Sequence, residues 1–323
     1  MKNHPHYNTP IKGPNRGRGI AVGYWFNAGL ESSAAISVNR NGTVNLVEGS
    51  TDIGGSRTSL SMQAAEVLGI AAEDINPSVG DTDSIGYTAV TGGSRVTFAT
   101  GLATYRAAQD VKRQAIERAS MIWDVDSSSL SMDNGIIRST NQTELSMSFK
   151  EMASQMNDTG GPIMGRGSFD GKGEGGSFAG NLVDIEIDPE TGKTTILRFT
   201  VFQDAGKAIH PSYVEGQMQG GSAQGIGWGL NEEYFMDSSG KMTNSTFLDY
   251  RIPTSLDLPL IDTVIVEVPN PNHPLGVRGV GEANIAPPPA ALADAIYNAV
   301  GIRLRDLPMN PIAIMNATWE NGK

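Results

Sequence analysis

The chain has 323 residues and a formal charge of −11 at neutral pH, long enough for two domains and too acidic for a surface that binds nucleic acid. It has no cysteine, which excludes disulfides, thiolate zinc sites and any iron–sulfur cluster ligated by this chain. With 39 glycines, 17 prolines and only 18% charged residues, it promises many tight turns and a surface partly covered by something else.

Residues 1–18 are polar, basic and rich in Pro and Gly, and read as an N-terminal arm. The polar start and the absence of any run of 18 apolar residues lead us to expect a cytoplasmic chain with no membrane span. Strands are predicted over 34–38 and 43–46 around Asn39-Arg40-Asn41-Gly42, where Asn-Gly marks a hairpin. The small-residue stretch Asp52-Ile53-Gly54-Gly55-Ser56 leads to a helix over 58–68 that stops at Gly69. A second loop, from Thr91 to Thr97, precedes a helical stretch over about 100–118. The run 165–176 reads as a linker between two units.

Beyond the linker the plan repeats. Strands are predicted over 182–187 and 194–199 around a turn at 188–192, followed by a glycine-rich segment, 217–225, that begins or leads into a helix. Gly276-Val277-Arg278-Gly279-Val280-Gly281-Glu282 then sets one carboxylate at the tip of a glycine-rich turn. Prolines at 287–289 suit the first turn of a helix that carries Leu292, Ile296 and Val300 and ends at Gly301. The order hairpin, glycine-rich turn, helix occurs twice. It predicts an α+β fold of two similar units, 19–164 and 165–323, with mixed or antiparallel sheets.

The chemistry is narrowed by what is missing. There is no clean dinucleotide fingerprint, no Walker lysine loop and no Gly-x-Ser-x-Gly elbow. The four histidines lack metal-ligand spacing, and His210 and His273, each beside proline, read as structural. Four loops of small residues remain, around Gly54, Gly92, Gly220 and Gly279. Their backbone N–H groups suit anions, and four together suit one large polyanionic, multi-ring cofactor better than a small substrate. Glu282, alone on such a turn, stands where a general base would.

Taken together, these segments resemble the molybdenum hydroxylases, the xanthine dehydrogenase/aldehyde oxidase family, and specifically the C-terminal half of their molybdopterin-binding large subunit. The resemblance runs from about Gly19 to Pro311. It rests on Gly279-Val280-Gly281-Glu282 with the proline- and alanine-rich helix after it. Also matching are Gly220 to Gly227 with Glu232-Glu233, Asp249-Tyr250-Arg251-Ile252-Pro253-Thr254, the stretch Thr91 to Thr97, and Gly80-Asp81-Thr82.

By position, the resemblance makes Glu282 the general base beside molybdenum and Gln224 the glutamine that approaches the metal's oxo ligand. Gly92 and Gly93 fall in the substrate funnel. Ser94, Val96 and Thr97, with Thr91 and Arg95, fall on the loop that grips the pterin and its phosphates, and Gly279, Val280 and Gly281 fall beside them. Gly54, Gly55 and Ser56 stand where the family usually has Gly-Gln-Gly, so a cofactor-binding amide is replaced there.

The cofactor implied is molybdopterin cytosine dinucleotide, whose dithiolene holds molybdenum with a sulfido or selenido ligand; no protein side chain ligates the metal. The partners implied are a larger molybdopterin subunit with the other half of the site, an Fe2S2 subunit and an FAD subunit, with electrons passing on toward NAD(P). The reaction implied is hydroxylation of an electron-poor ring carbon with water. The split arrangement favours nicotinate, giving 6-hydroxynicotinate, over a purine, another N-heterocycle or an aldehyde. A cofactor-free scaffold subunit is the alternative from a different class.

Overall fold

A computed structural model describes residues 1–27, 29–173 and 175–321. In chain order the elements are helix α1 (Pro5–Asn8), strands β1 (Arg16–Trp25), β2 (Leu30–Val38) and β3 (Val44–Glu48), helix α2 (Ser56–Leu68), strand β4 (Ile75–Val79), and helices α3 (Thr82–Ile85) and α4 (Val96–Trp123). Strands β5 (Leu130–Asp133), β6 (Ile136–Ser139) and β7 (Ser146–Ser148), helix α5 (Phe149–Ser154), and strands β8 (Met164–Gly171), β9 (Ser177–Ile187) and β10 (Thr194–Asp204) follow. Helix α6 (Pro211–Leu230), strand β11 (Ile261–Val266), helix α7 (Pro288–Val300) and helix α8 (Pro311–Asn321) complete the chain.

The first sheet has the order β4-β3-β2-β8, with β3 and β4 parallel and the other pairs antiparallel. Period-2 burial turns Ala34, Ile36 and Val38 of β2 and Val44 and Leu46 of β3 inward. There they meet Leu60, Ala64 and Leu68 of α2 and the alanine-rich face of α4. The second sheet has the order β1-β9-β10-β11, with β10 and β11 parallel. Val183, Ile185, Phe199 and Val201 pack there against Met218 and Ile226 of α6 and Leu292 and Ile296 of α7. A three-stranded sheet, β5-β6-β7, accompanies α5 and was not anticipated. The α+β class with mixed and antiparallel sheets is as expected.

The expected boundaries are not where the sheets divide. The segment read as an arm enters the second sheet at Arg16, paired with Glu186, and β1 runs along β9 to the pair Trp25 and Ser177. Its glycines serve contact: a Cβ on Gly17 would lie 2.1 Å from the Ala295 carbonyl of α7, so the helix rests on the bare strand. His6 is buried beneath the sheet and bonds Thr200 at 2.8 Å, and Arg18 pairs with Asp184 at 2.7 Å. The run 165–176 is not a plain linker, because β8 fills most of it and closes the first sheet. Within that run the chain returns to the second sheet only after Gly171, and Glu174 lies outside the described residues. The segment 217–225 does not begin a helix but runs through the middle of α6.

Between α6 and β11 the chain makes a long excursion, 231–260, without helix or strand. Phe247, Leu248, Leu256 and Leu260 there are each more than 90% exposed. Among the described residues no helix is long and apolar enough to cross a membrane.

Candidate functional site

The loops ahead of α2 and α4, the turn before α7, and α6 meet around one cavity of about 340 Å³. Ile53, Gly54, Ser56, Thr91, Gly92, Ser94, Arg95, Val96, Thr97, Gln217, Val280, Gly281 and Glu282 line it. Segments distant in sequence are thus brought together by the two sheets.

Glu282 is placed by a series of fixed points. Arg278 bonds Asp204 at 3.2 Å, the Val268 carbonyl at 3.0 Å and the Gly176 carbonyl at 2.8 Å. The Gly279 N–H donates to the Gly175 carbonyl at 2.9 Å. Only glycine fits at 279, because a Cβ would lie 2.3 Å from the Ser94 carbonyl. The buried Gln203 donates to the Val280 carbonyl at 2.9 Å and accepts from the buried Asn284 amide. Glu282 then precedes a 3₁₀ turn, Ala283–Ile285, ahead of α7.

The carboxylate is gripped from across the cavity mouth. The Glu282 N–H donates to Ser94 Oγ at 2.9 Å, and that hydroxyl donates to Glu282 Oε2 at 3.1 Å. Ser94 is held in turn by Asn27, whose amide donates to the Ser94 carbonyl at 2.8 Å. Ser56 is 4% exposed, and its hydroxyl donates to Asp52 at 3.2 Å. Burial raises the pKa of Asp52, but the hydrogen bonds from Arg57 and Ser56 outweigh it and leave the pKa below the ordinary carboxylate value.

The other expected site residues divide. Gly92 and Gly93 have open space where a Cβ would be, Gly93 at a φ of +74°. Gly55 does not line the cavity; it answers to packing, because at a φ of +77° its Cβ would fall 2.2 Å from the Tyr213 ring of α6. Gly279 also stays behind the wall. Arg95 borders the cavity, yet it is 1% exposed and its guanidinium points the other way. It donates to the carbonyls of Gly29, Leu30, Glu31 and Ala89 and to the Ser32 hydroxyl. Burial lowers its pKa from the usual arginine value. Arg95 therefore anchors the loop and offers no charge to a ligand.

Gln224 is exposed on α6 and does not border the cavity. Gln217 does, two turns nearer the helix start, and a Cβ on Gly281 would lie 3.2 Å from its Oε1. The signal that favours it is His210-Pro211, which fixes the helix start and sets residue 217 near the loops.

The walls combine glycine backbone, hydroxyls, one primary amide and the Glu282 carboxylate with the apolar side chains of Ile53, Val96 and Val280. They suit a polar, multi-ring group with phosphates better than a metal bound by side chains. Among the described residues no three His, Asp or Glu side chains are placed to hold a metal ion. A metal at this cavity would arrive with its own ligands, as in a pterin dithiolene, and the cavity fits that requirement.

Comparison with known proteins agrees with this chemistry. Residues 3–259 match the family model of the molybdopterin cofactor-binding domain. A xanthine dehydrogenase molybdenum-binding subunit of Escherichia coli O157:H7 is 32% identical over 308 residues, 92% of this chain and 41% of the relative. The nicotine 6-hydroxylase large subunit of Paenarthrobacter nicotinovorans is 29% identical over 90% of this chain and 37% of the relative. The crystal structure of quinoline 2-oxidoreductase from Pseudomonas putida 86 superposes with a TM-score of 0.86 at 26% identity, covering 95% of this chain and 42% of that one. The chain thus spans about two fifths of the length of the relatives it matches. On the sequence match and the shared fold, it belongs to the molybdopterin cofactor-binding domain family.

Proposed function

We propose that this chain forms one wall of the molybdopterin site of a multi-subunit hydroxylase and supplies its general base, Glu282. The observation that carries the reading is the placement of the Glu282 carboxylate, held at the cavity edge by Ser94 in a cavity that Gly92 also lines. When bound, the pterin-held molybdenum supplies the two-electron oxidation and the activated water oxygen. With Oε2 engaged by Ser94 and no hydrogen-bond partner for Oε1 among the described residues, Oε1 of Glu282 would accept a proton from a water held in the cavity. Gln217 and the hydroxyls of Thr91 and Thr97 offer hydrogen bonds along the groove. The open backbone at Gly92 and Gly93 leaves room for a flat ring.

The substrate class is an N-heterocycle with an electron-poor carbon, nicotinate first. Nicotine and quinoline, named in two relatives, are such rings. The cofactor is the cytosine dinucleotide form. Relatives are named as subunits, and this chain matches only part of them. The partners are accordingly a larger molybdopterin chain closing the groove, an Fe2S2 chain and an FAD chain; the terminal electron acceptor lies beyond this chain and outside the proposal. The change to Gly54-Gly55-Ser56 lends no support to a cofactor-free scaffold, because the Tyr213 ring lies against Gly55 and accounts for the glycine there.

The test is Glu282→Gln in the assembled complex. Turnover falls by about 10²–10⁴, the usual loss for a general base, while molybdenum and pterin contents stay at wild-type levels. Near-normal turnover would overturn the base assignment.

A further inference from the structure

We propose that Ser94 is the positioning residue for the base: it sets the carboxylate of Glu282 and is not itself a cofactor ligand. The inference deepens the proposed function and rests on it. Three observations carry it. First, among the described residues the Ser94 hydroxyl makes two hydrogen bonds, and both go to Glu282: it accepts from the backbone N–H at 2.9 Å and donates to Oε2 at 3.1 Å. Its one proton and one of its two accepting lone pairs are then spent on the same residue.

Second, Ser94 sits at a φ of +60°, a left-handed backbone that serine rarely takes and glycine adopts freely. The residue on its N-terminal side, Gly93, is also left-handed, at +74°. Glycine would be the relaxed choice at both positions, and strain of this kind persists where the surroundings hold it in place. Third, the surroundings do so. The Ser94 carbonyl accepts from Asn27 at 2.8 Å, Gly279 presses bare backbone on that carbonyl, and Arg95 is locked into buried carbonyls just after it. A strained serine fixed from both sides, with its hydroxyl committed to a single carboxylate, is a positioning device.

The strain makes the test clean. Ser94→Gly removes the hydroxyl and relieves the backbone at once, so any loss of function is separated from any loss of fold. Ser94→Ala removes the hydroxyl and keeps the strain. In the assembled complex both variants are expected to retain molybdenum and pterin, with the melting temperature of Ser94→Gly at or above wild type. The kcat of both falls about tenfold, the effect of losing one hydrogen bond to a charged group, while KM stays within about twofold. Amide exchange at the Glu282 N–H becomes faster, because its acceptor is gone.

Unchanged kcat in Ser94→Gly overturns the proposal. So does loss of molybdenum and pterin, which would make Ser94 a cofactor ligand. If the wild-type complex oxidises no N-heterocycle or aldehyde, the proposed function fails, and the clamp is judged by exchange alone. Protection of Glu282 that is lost in Ser94→Gly sustains it, and equal exchange in both overturns it.

Discussion

Gly55 and Gly92 stand in loops that look alike in sequence and differ in what surrounds them. Gly55 is left-handed with an aromatic ring 2.2 Å from its missing Cβ. Gly92 has nothing within 4 Å and no left-handed backbone. Gly55→Ala therefore combines backbone strain with a clash and should cost about 3 kcal/mol in urea unfolding. Adding Tyr213→Ala should return part of that loss, and strict additivity of the two substitutions would sink the account. Gly92→Ala should leave stability within about 0.5 kcal/mol. Its methyl enters the cavity, so kcat/KM should drop more for a two-ring substrate than for a one-ring substrate; equal losses would place the ring elsewhere. The position of Glu282 on a turn ahead of a helix was legible in the sequence because its glycine turn, prolines and helix are contiguous. The difference between Gly55 and Gly92 was not, because Tyr213 comes from a helix far along the chain. The choice between Gln217 and Gln224 also escaped sequence reading. Seven residues make nearly two full turns, so both face the same way, and only the position of the loops along the axis selects one.

At the scale of elements, the turn between β11 and Glu282 carries a pH dependence of its own. Within it the Gly276 N–H bonds the His273 carbonyl at 2.8 Å, and the Leu275 N–H donates to His273 Nδ1 at 3.1 Å. The ring is 4% exposed and lies 5.8 Å from the Phe98 ring of α4. Burial pushes its pKa down to about 4, from an ordinary value of 6.5. The folded pKa lies below the unfolded one, so between them the unfolded chain binds a proton that the folded chain does not. This contribution is intact above pH 6.5 and is lost as pH falls toward 4, amounting to at most about 3 kcal/mol. Urea unfolding from pH 7 to 4 should show a steeper decline for wild type than for His273→Gln, whose amide oxygen can still accept from Leu275. Parallel curves would mean that the ring is not held neutral. Other elements were read with mixed success for physical reasons. The β2–β3 hairpin was plain from its alternation and its Asn-Gly turn. Helix α4 starts at Val96, ahead of the expected position, because β-branched Val96 and Thr97 hide a start that the buried Arg95 fixes.

For the whole molecule, the repeated order of hairpin, loop and helix suggested two units laid end to end, and the strand pairing interleaves them. The chain begins in the second sheet with β1, builds the first sheet, and returns at β9. Local patterns cannot report that, since pairing of β1 with β9 depends on α7 resting on glycines that look like an arm. The same scale explains the excursion at 231–260. Four large apolar side chains more than 90% exposed are out of keeping with a surface that meets water alone. The relatives are more than twice as long as this chain, and the cavity is open beside Gly92, so the larger molybdopterin chain is the proposed cover for both. Because Phe247 and Leu256 touch so little of their own chain, Phe247→Ser with Leu256→Ser should leave the stability of the isolated chain within about 0.5 kcal/mol. In the assembly each would withdraw about 1.5–3 kcal/mol of apolar burial, enough together to weaken association by about 100-fold or more. Native mass spectrometry of the chain produced with the larger molybdopterin chain should show a complex for wild type and separate chains for the double variant. A complex of undiminished strength would free the excursion from that role. A wild-type dimer of this chain that the double variant abolishes would instead make a second copy the cover.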